Sequence, residues 1–249
     1  MLLGKTADAI NQGELKARIQ FVFCNREPGE YPGSDEFMTL VKSYNLPLVT
    51  LSSQALRLER EISNFSLIRA EFDQQVLDLL APYKPVICVL AGYGLIFGSQ
   101  VVRQYTLLNL HPALPSGPIG TWQQVIWQLI EGHASETGTM IHLGTDDLDR
   151  GPPLTYFSLP LVGSAYDRLW HQIRGRSMDA IKSEEGESLP LFRKIRQDMV
   201  LRESTLLLET LKALADGRVQ VVEGNVFDGK GIAIKGLCLN SQVEHSIES

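Results

Sequence analysis

The chain is predicted to fold as an α/β protein on an open, mostly parallel twisted sheet flanked by helices, with a C-terminal helix and β-ribbon. Three observations predict this. Short apolar runs alternate with longer amphipathic stretches through the first half of the chain. Clusters of Gly, Pro and Asn end the runs, as at residues 25–29 and 112–120. The spacing between runs leaves room for a helix, which parallel neighbours need as a crossover.

Each element has its own reason. Residues 19–24 (IQFVFC) are apolar and β-favouring, and Pro28-Gly29 closes the turn behind them. Residues 36–44 suit a helix and residues 47–51 a second strand. Residues 71–80 place Phe72, Val76, Leu79 and Leu80 at helical spacing. Residues 85–92 are almost wholly apolar, as a strand covered on both faces would be. Residues 106–111 form the next strand, 122–131 a helix and 137–143 another strand. Further on, residues 166–175 read as a helix with Leu169, Trp170 and Ile173 on one side. The acidic stretch 182–188 reads as a loop, and 192–214 as a helix stopped near Gly217. Residues 219–222 and 232–235 are expected to pair across an Asp228-Gly229 turn, and the polar tail after Leu239 to fray. The organisation expected is one domain over 1–249: a core over about 1–162, a helical insertion over about 165–200, and the C-terminal helix and ribbon over about 201–239.

Bulk properties narrow the function classes. A net charge of −6 argues against holding nucleic acid by electrostatics, which calls for a basic surface. No run approaches the ~18 apolar residues of a membrane span, and Met1-Leu2-Leu3 is too short for a signal peptide. Cys24, Cys88 and Cys238 form an odd, widely spaced set without metal-ligand spacing. Cys24 and Cys88 fall in apolar runs and read as buried thiols, consistent with a reducing cytoplasm.

The candidate chemistry lies at strand ends, where open α/β sheets bind ligands. Asn109 and His111 are two apart on one strand, so their side chains share a face. Some forty positions on, Asp149 sits in the loop Asp146-Asp147-Leu148-Asp149-Arg150-Gly151-Pro152. An amide donates without titrating; a histidine adds a second donor and, when protonated, offsets negative charge. A nearby carboxylate favours the protonated imidazole. Together these groups bind a carbonyl oxygen, stabilise charge on it and move a proton. The same residues also fit a structural hydrogen-bonding pair and an ordinary acidic turn. No further carboxylate completes an EF-hand spacing, so no metal is expected.

Four ordered stretches resemble the folate-dependent formyltransferases: Phe23-Cys24-Asn25-Arg26, Leu90-Ala91-Gly92-Tyr93, Leu108-Asn109-Leu110-His111-Pro112-Ala113-Leu114-Pro115, and the run from His142 through Pro152. The resemblance runs in register over about 8–161 and again over 203–222. It implies transfer of formyl from 10-formyltetrahydrofolate to an amine, with phosphoribosylglycinamide the expected acceptor. It also implies that Asn109 holds the formyl oxygen, that His111 is proton donor and oxyanion stabiliser, and that Asp149 keeps His111 charged and relays the proton through water. By the same resemblance Arg69, Gly94, Leu95, Ile96 and Phe97, with Asn109, contact the folate, and Glu203 contacts the acceptor's ribose. A solvated helix-face charge is the plain alternative for Arg69 and Glu203. His142 reads as a packing and hydrogen-bonding residue, and His133 and His171 as surface residues. A small-molecule acceptor, no nucleic acid and no membrane are the partners expected; the oligomeric state is open.

Departures from the family pattern lie on the acceptor half. The chain opens at Met1-Leu2-Leu3-Gly4-Lys5-Thr6, so that the family's first strand and phosphate-holding Gly-Ser-Asn turn are missing from it. Either the start lies upstream or another segment fills the gap. A Ser116-Gly117-Pro118-Ile119-Gly120-Thr121 loop replaces a basic, aromatic one, and 174–197 is an insertion. Alternatives are a formyltetrahydrofolate hydrolase, a formyltransferase for an amino-sugar nucleotide or initiator methionyl-tRNA, and a non-catalytic folate-binding relative. The tRNA version calls for a basic C-terminal region, which this chain lacks.

Overall fold

The computed structural model describes residues 2–147 and 149–248. By internal contacts the chain forms two compact units, residues 1–108 with 144–148, and 109–143 with 149–249.

The first unit opens with helix α1 (Leu2–Asn11) and then alternates strand and helix: β1 (Val22–Cys24), α2 (Pro32–Ser43), β2 (Leu48–Thr50), α3 (Ser53–Glu59), α4 (Arg69–Leu80), β3 (Cys88–Leu90) and α5 (Ser99–Gln104). β1 and β2 pair in parallel, Val22 opposite Leu48. Pro32 starts α2, where its missing N–H costs nothing. Ser52 caps α3 by accepting the Ala55 N–H at 2.8 Å. The core of this unit gathers Leu56, Ile68, Phe72, Val76 and Leu80, with Phe23, Leu95 and Phe97 packed against it. The strands are shorter than their apolar runs. β3 is half-buried rather than covered on both faces, and Val86 just before it is 87% exposed.

Strand β4 (Leu107–His111) begins in the first unit and ends in the second. At its start Cys88 N–H donates to Thr106 O and Gly144 N–H to Leu107 O, both at 2.8 Å.

The second unit takes the end of β4 and adds α6 (Trp122–Glu131), β5 (Glu136–Leu143), β6 (Pro153–Pro160), α7 (Ser164–Ile173), α8 (Met178–Glu184), α9 (Pro190–Ala215), β7 (Val219–Val222), β8 (Asn225–Asp228), β9 (Leu237–Cys238) and α10 (Asn240–Glu248). Its strand order is β4-β5-β6-β9. β5 and β6 are antiparallel, Thr139 opposite Phe157, and β6 and β9 are parallel. This sheet is therefore mixed, while β1 and β2 form a separate two-stranded parallel sheet in the first unit. α6 starts in a capping box: Gln124 N–H donates to Thr121 Oγ1 at 3.3 Å, and Thr121 N–H to Gln124 Oε1 at 2.8 Å. Ile126, Ile130, Tyr166, Ile173, Ile181, Phe192, Ile195 and Met199 form one buried cluster, which explains the apolar faces of α6, α7 and α9.

Three further expectations need correction. Residues 182–184 belong to α8 and 186–188 to a 3-10 turn, so 182–188 is not a plain loop; Ile181 anchors α8 in the core. β7 pairs with residues 225–228 across Glu223-Gly224, whose φ values of 48° and 74° suit a tight hairpin turn. Residues 232–234 add only a bridge, Phe227 opposite Ala233. The tail is the helix α10. Val243 is fully buried, and Asn240 fixes the start of α10 by bonding both the N–H and the O of Ser158. Arg202 Nε donates to Glu244 at 2.6 Å. No helix among the described residues is long and apolar enough to cross a membrane, and all three cysteines are free.

Candidate active site

The end of β4, the end of β5 and the loop before β6 bring Asn109, His111, His142 and Asp149 together in the second unit. Asn109 and His111 share one strand face. Asp149 turns its backbone into the left-handed region, φ 56°, which a short polar residue tolerates better than a branched one. Its carboxylate is 89% buried, or 11% exposed, with Oδ2 3.6 Å from His111 Nδ1 and Oδ1 3.8 Å from His142 Nε2. His111 and His142 are 3% and 2% exposed.

Hydrogen-bond chemistry assigns the protons. His142 Nδ1 lies 2.9 Å from the carbonyl oxygen of Leu143, which can only accept, so Nδ1 carries the hydrogen. Burial lowers the His142 pKa; the Leu143 bond opposes the shift, His111 adds to it and Asp149 opposes it. His142 is therefore a neutral imidazole whose Nε2 accepts from Asn109 Nδ2 at 3.2 Å. The second hydrogen of Asn109 goes to Asp149 Oδ1 at 3.3 Å. This orients the amide, with nitrogen toward the cluster.

His111 differs. Its Nε2 donates to Pro118 O at 2.9 Å, while Nδ1 faces the Asp149 carboxylate. An acceptor thus lies on each side of the ring, the Pro118 carbonyl within hydrogen-bond distance of Nε2 and the Asp149 carboxylate 3.6 Å from Nδ1. Pro118 belongs to the loop that departs from the family pattern. That loop packs tightly: a Cβ on Gly117 would sit 2.8 Å from Leu114 O. The loop expected to depart from the family pattern thus reaches His111 directly.

Of the residues expected to contact folate, Asn109 lies in the second unit, and Arg69 with segment 94–97 lies in the first. In segment 94–97, Leu95 and Phe97 turn into the core while Gly94 and Ile96 are exposed. Tyr93 stacks on Phe97 at 4.4 Å and 13°. Arg69 is not a simple solvated charge, since its Nε is buried without a hydrogen-bond partner in the protein. Glu203, on α9, is half-buried and pairs with Arg196 at 2.7 Å; Arg196 in turn lies over the Trp122 ring at 4.6 Å. The structure places Glu203 in that pair rather than in the Asn109 cluster. Among the described residues no group of His, Cys, Asp and Glu could hold a metal ion. Burial raises the thiol of Cys24 and pushes that of Cys88 up to about 11, so neither is a ready nucleophile. His142 is the buried hydrogen-bonding residue expected of it, and its tautomer is fixed by its own backbone neighbour, which the sequence does not reveal.

Comparison with known proteins bears on the family and the fold. A phosphoribosylglycinamide formyltransferase of Escherichia coli strain K12 is 34% identical over 173 residues, which cover 67% of this chain and 72% of that protein. The enzyme of the same name from Saccharomyces cerevisiae is 32% identical over 101 residues, and the match spans only 47% of its length. Among solved structures, the phosphoribosylglycinamide formyltransferase of Coxiella burnetii superposes with a TM-score of 0.65 at 18% identity, over 94% of this chain and 92% of that one. A formyltetrahydrofolate deformylase of Burkholderia mallei gives 0.60 at 19% identity, over 91% of this chain and 65% of that one. At such identities these two establish the fold alone. The formyl transferase family model matches residues 2–166, a span that includes Asn109, His111, His142 and Asp149, and by that match the chain belongs to the formyl transferase family.

Proposed function

We propose that this chain transfers a formyl group from N10 of 10-formyltetrahydrofolate to the amine of phosphoribosylglycinamide, a step of purine synthesis. The observation that carries the reading is the buried meeting of an oriented amide, a histidine with acceptors on both sides and a carboxylate. This donor set suits a formyl oxygen that becomes negative in the transition state. The amine nitrogen attacks the formyl carbon and a tetrahedral centre forms. Asn109 Nδ2 and the His111 ring stabilise its oxyanion. The new N–C bond stays and the bond to N10 breaks. The proton leaving the amine passes to N10 by way of Asp149 and water, and Asp149 holds His111 charged meanwhile. To reach the formyl oxygen Asn109 must give up one present partner, the bond to Asp149 being the longer of the two, and His111 must turn Nε2 from the Pro118 carbonyl. Arg69 and Gly94, Leu95, Ile96 and Phe97 are assigned to the folate, and Glu203 to the acceptor. The reading needs no metal, no nucleic acid and no membrane, and the free cysteines fit the cytoplasm.

The test is to incubate the protein with 10-formyltetrahydrofolate, with and without phosphoribosylglycinamide, following donor loss and formylated product by mass spectrometry. Donor loss that requires the acceptor and equals product formation is expected. Donor loss independent of acceptor would show hydrolysis and overturn the reading. Preferential formylation of an amino-sugar nucleotide would replace the acceptor.

A further inference from the structure

Asp73 sits on α4 and is 2% exposed. Its Oδ2 accepts the Gly98 N–H at 2.7 Å, while Oδ1 is buried without a hydrogen-bond partner in the protein. The backbone passes close against the helix here: a Cβ on Gly98 would lie 2.8 Å from Asp73 Oδ2 and 3.7 Å from Arg69 Cδ. Gly98 directly follows segment 94–97, and the Tyr93–Phe97 stack closes that segment at its other end. Arg69 and Asp73 are four residues apart on α4 and so share a helix face. Burial raises the Asp73 pKa; the Gly98 bond and then the charge of Arg69 oppose the shift. Packing alone does not ask for a carboxylate in this place, because an apolar side chain would avoid its desolvation.

We propose that Asp73 is a positioning residue for the formyl donor: its carboxylate fixes the backbone of 94–97 through Gly98 and sets the charge beside Arg69 on the same helix face. The proposal rests on the reading of Arg69 and 94–97 as folate-contacting. It adds a residue that touches neither reactant but sets the shape of the surface that does.

The experiment measures equilibrium binding of 5-formyltetrahydrofolate, as a stable probe, and steady-state constants for the wild type and three variants. Asp73→Ala is expected to weaken folate binding and raise the donor KM by about tenfold or more, the loss of a charge-assisted bond. Its kcat at saturating donor and its acceptor KM should stay within about twofold, the pattern of lost binding alone. Asp73→Asn keeps an oxygen for the Gly98 N–H and should recover most of the affinity. Gly98→Ala should weaken folate binding by itself and add little to Asp73→Ala, since both break one contact. If Asp73→Ala fails to fold, Gly98→Ala carries the test. Wild-type folate affinity in a well-folded Asp73→Ala or Gly98→Ala protein would overturn the proposal. So would a uniform loss of kcat and both affinities in step with lower stability. A wild-type protein that does not bind folate would instead refute the underlying reading.

Discussion

Two regions handle polar atoms in opposite ways. Around Asp149 the described polar side chains are committed to one another or to backbone carbonyls: the Asn109 amide nitrogen bonds His142 and Asp149, His142 bonds Leu143 O, and His111 bonds Pro118 O. Around segment 93–98 three buried polar atoms have no partner in the protein: Arg69 Nε, Asp73 Oδ1 and Tyr93 Oη. A closed network holds reacting groups in one geometry, as charge stabilisation requires. A region with unpaired polar atoms gains most when something binds it, because buried polar groups are costly alone. On the proposed reading, the difference separates chemistry, in the second unit, from donor recognition, in the first.

Substitutions can break or sharpen that separation. The largest effect is expected from Asp149→Asn, which keeps shape but removes charge; turnover should fall by about a thousandfold, as when a charge that orients a catalytic imidazole is lost. Folate affinity should survive. Asn109→Ala removes one oxyanion donor and should lower kcat by about a hundredfold, seen in the same steady-state assay. His142→Phe should cost about tenfold in kcat, since the Asn109 amide loses the acceptor that orients it.

That variant also carries a pH signature. The folded His142 pKa lies below its ordinary 6.5, so the unfolded chain binds the proton first as pH falls. Stability from this group is complete above 6.5 and is lost through the interval down to the folded value. Thermal melts across this range should show a gentler acid slope in His142→Phe. The smallest effect is expected for Arg196→Ala. This mostly buried ion pair, with its ring contact, contributes about 1–2 kcal/mol, so the melt should fall by only a few degrees. The acceptor KM should change while the donor KM does not, if Glu203 serves the acceptor.

Much of the site was legible in the sequence for a physical reason. A strand has a period of two, so Asn109 and His111 had to share a face, and Pro112 and Pro115 marked where the strand must stop. Asp149 needed the family resemblance, because its approach depends on a positive-φ turn that spacing does not reveal. α10 was hidden: its sequence is polar, and it is held by the buried Val243, an Asn240 clasp on β6 and one ion pair. The ribbon register was misplaced because Asp228-Gly229 carries the more familiar turn pair, whereas the chain turns at Glu223-Gly224. Asp73 was invisible as a functional residue, since its partner Gly98 is distant in sequence and bonds through its backbone.

The most direct measurement places Asp149→Asn beside Asp73→Ala and determines folate affinity and saturating transfer rate for each. If chemistry and donor recognition are separate, Asp149→Asn loses rate and keeps affinity, while Asp73→Ala loses affinity and keeps rate. Parallel loss of both quantities in both variants would contradict the account.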